Sequence, residues 1–377
     1  MSFSFTAMIR LMGLLAVGST LLAIGVSRLD PPQPIRRFHR PVTNHNINDY
    51  FLQTEDRKSH WIDSTTGGMT DLPVVGDDVF EAASCSPWVD DSGRRQAVGR
   101  WANRTFLGPL TISHAFGLAR YSFPDGRMLN QIATDVVPTG PPCWFPGTQA
   151  RVVFAAGDGR LYRFGFEPAV PTGATSESGQ AVDPQPSALD WGCPKPGGGE
   201  VFIGDLAWPD APQLGGRLVA ALWITDHDMA GKVQFSRTQL WWLKLNHSAT
   251  EIIAAGPLVN HDVSGPLAKH FDERSPTVSA LPDGSLALAY TRHAAGKPGW
   301  SAHLAPLTIT ADHDLVPTLE SRTRVAAAHC RSAPVAFSTD GRWLNVLVGE
   351  TNSAESSQRV RTLPPATPTT VASAQSR

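Results

Sequence analysis

The sequence predicts an all-β protein: a single β-propeller of six blades, with five and seven as the alternatives, behind an N-terminal hydrophobic helix. Three observations carry this. A phrase made of Pro, small residues and an Asp/Ser-Gly turn recurs along the 377 residues, as Ser86-Pro87-Trp88 with Asp91-Ser92-Gly93-Arg94, Ser275-Pro276-Thr277 with Pro282-Asp283-Gly284-Ser285, and Ser332-Ala333-Pro334 with Asp340-Gly341-Arg342. Its last two copies lie 57 residues apart, from Gly284 to Gly341, and self-similarity at a period of tens of residues marks a repeat architecture. The chain also holds 33 Gly and 31 Pro, a composition dense in turns. Past the N-terminal segment, no stretch shows capped helical periodicity.

In chain order, Arg10 precedes the sixteen uncharged residues Leu11 to Val26, and the small residues Gly25 and Ser27 close the run. This is the pattern of an export signal. As a helix the run would be about 24 Å long, a little short of the ~30 Å hydrocarbon core. Residues 1–27 are therefore expected to be a signal peptide or an N-terminal membrane anchor, with residues 8–26 as the anchoring part. Residues 28–47, which include Arg28, Arg36, Arg37 and Arg40, read as a Pro/Arg-rich linker. Residues 48–363 are assigned to the propeller. Residues 364–377 form a polar tail too poor in apolar side chains to fold.

Within the propeller segment, apolar runs alternate with turn signals. Val152–Ala156 and Leu161–Phe166 flank Gly157-Asp158-Gly159 as a hairpin. Leu218–Ile224 pairs with Gln239–Leu245, Leu286–Tyr290 pairs with Ala302–Leu307, and Trp343–Val348 begins a fourth pair. Short strands repeated with turn signals fit a sandwich, barrel or propeller, and the recurring phrase selects the propeller, in which each unit is one small sheet packed on its neighbours. The last unit runs out after two or three strands. The stretch from His60 to Gly68 looks like an outer strand pair without inner strands, which predicts a ring sealed by N-terminal strands completing the last blade.

The phrases at 334–342, at 276–284 and at 61–67 (Trp-Ile-Asp-Ser-Thr-Thr-Gly) resemble the repeats of TolB-type β-propellers, over roughly residues 55–362. That family carries a Ser-Pro-Asp-Gly-(Arg/Lys) turn between inner strands and an Asp-x-x-(Thr)-Gly turn between outer ones. The departures are Asp91-Ser92-Gly93, Phe145-Pro146-Gly147 without its Asp, and an insertion in the 193–218 unit.

The formal net charge of −2 gives no electrostatic footprint for nucleic acid and none for an anionic membrane surface. Four cysteines, Cys85, Cys143, Cys193 and Cys330, suit an oxidising compartment. If the ring closes, Cys85 and Cys330 become neighbours across the seam, and Cys143 and Cys193 belong to consecutive units. Those are the pairings considered for disulfides, against four buried free thiols.

Motifs that carry chemistry are few. Asp283 and Asp340 read as turn-formers, since Asp bonds the local backbone and Gly accepts positive φ. Asp226-His227-Asp228 and Asp312-His313-Asp314 place His beside carboxylates in predicted loops, but no full metal ligand set is visible. His261-Asp262 and His270-Phe271-Asp272-Glu273 read the same way. No metal and no cofactor are expected, and there is no Gly-x-Ser-x-Gly elbow for a nucleophile. Trp241 and Trp242 are adjacent and should face opposite sides of one strand. Trp88, Trp144, Arg274 and Arg331, each flanking a predicted inner strand, are the candidates for a binding mouth at the channel, and no catalytic residue is nominated. The sequence is read as an exported periplasmic or cell-surface binding or scaffolding module for a protein or glycan of the envelope. The alternative is a glycosidase- or lyase-type propeller acting on an extracytoplasmic polysaccharide.

Overall fold

Strands and tight turns account for nearly all the regular structure among the described residues of the computed structural model, and the sequence there shows why: β-branched and aromatic runs are cut by Gly, Pro and Asp. The structure describes residues 42–43, 50–55, 58–63, 69–73, 78–86, 88–89, 92–107, 110–136, 138–145, 151–166, 185–196, 200–209, 214–227, 233–258, 271–294, 299–309, 315–317, 323–330, 335–337, 341–348 and 356–361. All of them belong to the compact unit His39–Arg377. The expected export helix at Leu11 to Val26 and the tail at 364–377 lie outside the described residues.

The strands form six sheets among the described residues. The first holds β1 (Val42–Thr43), β2 (Tyr50–Glu55), β3 (Lys58–Asp63) and β4 (Met69–Asp71), and the second β5 (Asp78–Cys85), β6 (Arg95–Leu107), β7 (Leu110–Phe123) and β8 (Met128–Ala133). The third holds β9 (Cys143–Trp144), β10 (Arg151–Ala155), β11 (Leu161–Gly165) and β12 (Ser187–Ala188). The fourth runs β14 (Val201–Ala207), β15 (Arg217–His227), β16 (Val233–Leu245), β17 (Glu251–Pro257), with β13 (Asp190–Trp191) parallel on its outer edge. The fifth runs β18 (Phe271–Ala280), β19 (Leu286–Ala294), β20 (Trp300–Ile309), and both β21 (Leu315–Pro317) and β22 (Thr323–Cys330) pair with β20. The sixth has three strands, β23 (Val335–Phe337), β24 (Trp343–Val348) and β25 (Ser356–Arg361).

First strands lie beside first strands: β1 by β5, β5 by β9, β14 by β18, β18 by β23, and β1 again by β23. The last sheet thus meets the first, in a propeller-like arrangement. The expected sealing is corrected here. Trp61 and its neighbours belong to a four-stranded sheet of their own, whose inner strands are the short β1, inside the stretch read as linker, and β2. Two residues among Pro, Asn and His carry no alternation, so nothing local announces β1.

Among the described residues, the five seams from first–second to fifth–sixth are filled from both sides. Trp241 packs into the cluster between the third and fourth sheets and Trp242 into the one between the fourth and fifth, so adjacent residues do face opposite ways. Trp242 sits in register with Gly256 on β17, and a Cβ on Gly256 would stand 2.6 Å from the indole Nε1. The second sheet repeats the device: Trp101 pairs with Gly117, whose Cβ would stand 2.4 Å from that indole Nε1. Glycine in these strands marks the close approach of a ring.

The recurrent turns fall where the repeat phrase puts them, between the first and second strands. Gly93, Gly284 and Gly341 all have positive φ, and Asp283 Oδ1 accepts from the Ser285 N–H at 2.9 Å and its hydroxyl at 2.6 Å. These bonds hold the exposed Asp283 carboxyl below its ordinary range, so it is a turn-former. Asp340 lies outside the described residues. The Pro part of the phrase is less regular: Ser275-Pro276 sits inside β18, whereas Ser86-Pro87 follows the end of β5.

Candidate functional site

The inner strands carry charged as well as apolar side chains. On β18 the run Phe-Asp-Glu-Arg-Ser-Pro carries charge, and Pro276 cannot donate to a ladder. The pairing of β18 with β19 accordingly slips between Arg274 and Thr277, and Ser275 takes φ +50°. Inner strands β5 and β14 slip at comparable places, between Glu81 and Ser84 and between Ile203 and Leu206. Bulges of this kind re-aim side chains.

At the fourth–fifth seam the re-aimed groups meet. Asp205, from the bulge of β14 and 6% exposed, accepts from the Ser275 N–H at 3.1 Å and from its hydroxyl at 3.3 Å. Asp272 accepts from the Thr238 N–H of β16 at 2.9 Å. Glu273 is fully buried, with Arg292 Nε 3.8 Å from its Oε1. Beside them, Ser301 Oγ lies 2.9 Å from His303 Nε2 and donates to the Arg292 carbonyl at 3.2 Å. His303 stacks on Tyr290 with ring centroids 5.5 Å apart. Below this layer the seam is apolar, lined by Leu240, Trp242, Val278 and Leu288.

Strand alternation puts Arg274 on the face of β18 opposite Glu273, the face it shares with Asp272 two residues earlier. Its guanidinium lies over the Trp300 ring at 5.3 Å, and His293 flanks the same indole at 5.2 Å between centroids. The Arg274 backbone is fixed by the Thr291 hydroxyl, which donates to its carbonyl at 3.2 Å.

Of the four residues nominated as a mouth, the three described ones do not gather. Trp88 and Trp144 meet edge to face at 4.8 Å in the second–third seam. There Trp144 is 4% exposed, and its indole N–H donates to the Ser84 carbonyl at 3.3 Å. They fill that seam as core. Arg274 stands apart from them at the fifth sheet, and Arg331 lies outside the described residues.

The cysteines occupy unlike places. Cys85 and Cys143 are buried on inner strands, while Cys193 follows β13 at the outer edge of the fourth sheet and Cys330 ends the outer strand β22. Cys143 and Cys193 are thiols here, so the bridge considered between them is not formed. Burial pushes the Cys143 thiol up to about 12 and raises Cys193 as well, which makes both poor nucleophiles. Asp226 and His227 are strand residues of β15, not loop residues, and Asp228, 312–314, 261–262 and His270 lie outside the described residues. No group of metal-ligating side chains assembles among the described residues.

Asp205, Arg292, Trp300, Ser301 and His303 escaped the sequence reading because register, not local pattern, brings them together. One signal was available. Gly204-Asp205 interrupts an apolar strand, and a Gly inside a strand pattern points to a bulge.

No protein-family profile matches the sequence, and no curated protein matches it. Among solved structures, the chain is similar to TolB from Acinetobacter baumannii (TM-score 0.47, 11% identity, covering 83% of this chain and 60% of that one). It is also similar to a protein of unknown function from Dyadobacter fermentans (TM-score 0.45, 10% identity, 85% and 97% covered). A third is a puromycin-hydrolyzing peptidase from Mycobacterium tuberculosis (TM-score 0.39, 13% identity, 83% and 41% covered). The chain thus spans about 60% of the length of that TolB structure.

Proposed function

We propose that this chain is a six-bladed propeller, exported on its N-terminal segment, that works outside the cytoplasm by binding a protein partner of the cell envelope. The observation that carries the reading is the engagement of the inner-strand carboxylates. Asp205 holds Ser275, Asp272 holds Thr238 and Glu273 faces Arg292, so the charges act as braces between sheets and along a sheet. A rigid ring that presents side chains from bulged inner strands is a scaffold for recognition. The six sheets and the contact of β1 with β23 support the blade number. Arg10 with the uncharged run to Val26 supports export.

An enzymatic reading has one observation on its side, the Ser301–His303 pair. The Ser301 hydroxyl has two acceptors in reach, His303 Nε2 at 2.9 Å and the Arg292 carbonyl at 3.2 Å, and the carbonyl competes with the imidazole for its single hydrogen. Ser301 also sits on β20, which pairs with β19 on one side and β22 on the other.

The test is cross-linking of the full-length protein in intact cells, followed by recovery from the envelope fraction. A specific envelope protein should be retained. Retention of none, together with turnover of an envelope polysaccharide by the purified protein, would replace this reading with the enzymatic one.

A further inference from the structure

Half-buried arginines in this structure find oxygen acceptors. Arg95 donates to the Ser86 carbonyl, Arg100 to the Pro138 carbonyl, Arg120 to Asn130 and Arg163 to the Ser248 carbonyl. The buried Arg217 donates to the Leu214 carbonyl while lying over Trp242, and Arg292 faces Glu273. Arg274 departs from the rule. It is half-buried, its Nε, like that of Arg217, is buried without a hydrogen-bond partner among the described residues, and its contact is the Trp300 ring. A cation–π contact offsets part of the desolvation of a guanidinium but satisfies none of its N–H groups.

The side chain is nonetheless held in place with unusual care. Asp205 of the neighbouring sheet grips Ser275 through its N–H and its hydroxyl, at a non-glycine residue with φ +50°. Backbone strain of that size persists only where the surroundings over-determine it, and it clusters at ligand clamps. Thr291 fixes the Arg274 carbonyl from β19, and Trp300, steadied by His293, fixes the guanidinium. Alternation keeps Glu273 on the opposite face of β18, and Asp272 is committed to the Thr238 N–H. An arginine pre-organised by four residues, with no oxygen acceptor among the described residues, is placed to receive one from outside.

We infer that Arg274, braced by Trp300 and His293 and clamped through Ser275 by Asp205, is the recognition point for a carboxylate of an acidic peptide segment in a partner protein. The inference rests on the binding role proposed above and names its chemistry. A peptide is favoured over an acidic glycan because sugars dock on an open aromatic face, and here the indole is engaged by two side chains.

The probe is fluorescein-labelled hexaglutamate with an amidated C-terminus, titrated against the full-length protein by fluorescence anisotropy. Hexaglutamine serves as the uncharged control and trigalacturonate as the glycan competitor. The protein should bind hexaglutamate and not hexaglutamine. Arg274→Gln should weaken binding on the order of tenfold or more, Arg274→Lys should weaken it too because the planar fork is lost, and Arg163→Gln should leave it unchanged. Thermal unfolding checks that each variant is folded, and the lysine variant carries the test if the glutamine variant is not. Binding of hexaglutamate by a folded Arg274 variant at the parent's affinity would overturn the assignment. So would no binding by the parent, or stronger competition by trigalacturonate than by unlabelled hexaglutamate. Retention of an envelope partner equally by parent and Arg274→Gln would sink the Arg274 assignment and leave the binding role standing. Hexaglutamate binding through Arg274 without any retained envelope partner would do the reverse.

Discussion

Two seams of the same ring are built from different chemistry. Between the second and third sheets, Val98, Leu118, Trp144, Val152, Phe154, Phe164 and Phe166 close on one another, with Trp88 edge-on to Trp144 and Arg120 over Phe166 at 5.0 Å. Between the fourth and fifth sheets an apolar floor is topped by a layer of Asp205, Ser275, Asp272, Glu273, Arg292, Ser301 and His303. The first seam holds by area removed from water, which is non-directional. The second holds part of its contact by directed hydrogen bonds that specify one register and penalise any other. A ring needs seams of the first kind to stand; a seam of the second kind points particular side chains in particular directions. The layer that braces Arg274 belongs to a seam of the second kind, while Arg274 itself lies over Trp300 on the face of β18 opposite Glu273.

Substitutions at each seam test that difference. Trp144→Ala should produce the largest loss, about 3–5 kcal/mol, through lost burial and a residual cavity, read as a shift in denaturant midpoint at constant m. Asp205→Ala should cost about 1–3 kcal/mol, because it strands two buried donors on Ser275, and should weaken hexaglutamate binding by releasing Arg274. Equal losses at the two positions, with probe binding intact in the Asp205 variant, would mean the seams do not differ in kind.

Titration separates them more finely. The Cys143 thiol has its ordinary value of 9.0 raised to about 12 by burial. Its contribution is therefore fully present at neutral pH and is lost as pH rises from about 9 toward 12, when the unfolded chain ionises first. Cys143→Ala should flatten that alkaline limb of a stability–pH profile. The smallest effect belongs to Asp283, whose carboxyl is held below 3.8 chiefly by the Ser285 hydroxyl. Its contribution is present above that value and lost as pH falls through the lower folded one. Asp283→Asn should remove only a slight acid limb, measured by thermal unfolding at low pH.

What the sequence disclosed follows the range over which each interaction acts. The Asp283-Gly284 turn was legible because the aspartate bonds a residue two positions on, and the hairpins around Gly159 and Gly284 because alternation is local. The opposite facing of Trp241 and Trp242 followed from strand geometry alone. The first sheet was only half legible, since β1 is two residues long and is held by pairing with β2. The site was legible at one residue, Arg274, because it adjoins the Ser-Pro of the repeat phrase. Asp205, Trp300 and Arg292 come from three other strands. Their meeting depends on cross-strand register and on which sheet neighbours which. Trp144 looked like a ligand platform for the same reason: position on an inner strand was readable, and what packs over it was not.

The pairing of Trp242 with Gly256, and of Trp101 with Gly117, has a consequence for how this chain can drift. At Gly256 the three nearest atoms that a new Cβ would meet all belong to the facing indole. The glycine is therefore invariant only while the tryptophan stays, and the order of change is fixed: the ring must shrink before the glycine can grow. At Gly117 the Ile132 carbonyl also blocks the way, so there the glycine cannot grow even if the ring shrinks. Inheritance at these registers is of pairs, and one of the two pairs has an exit.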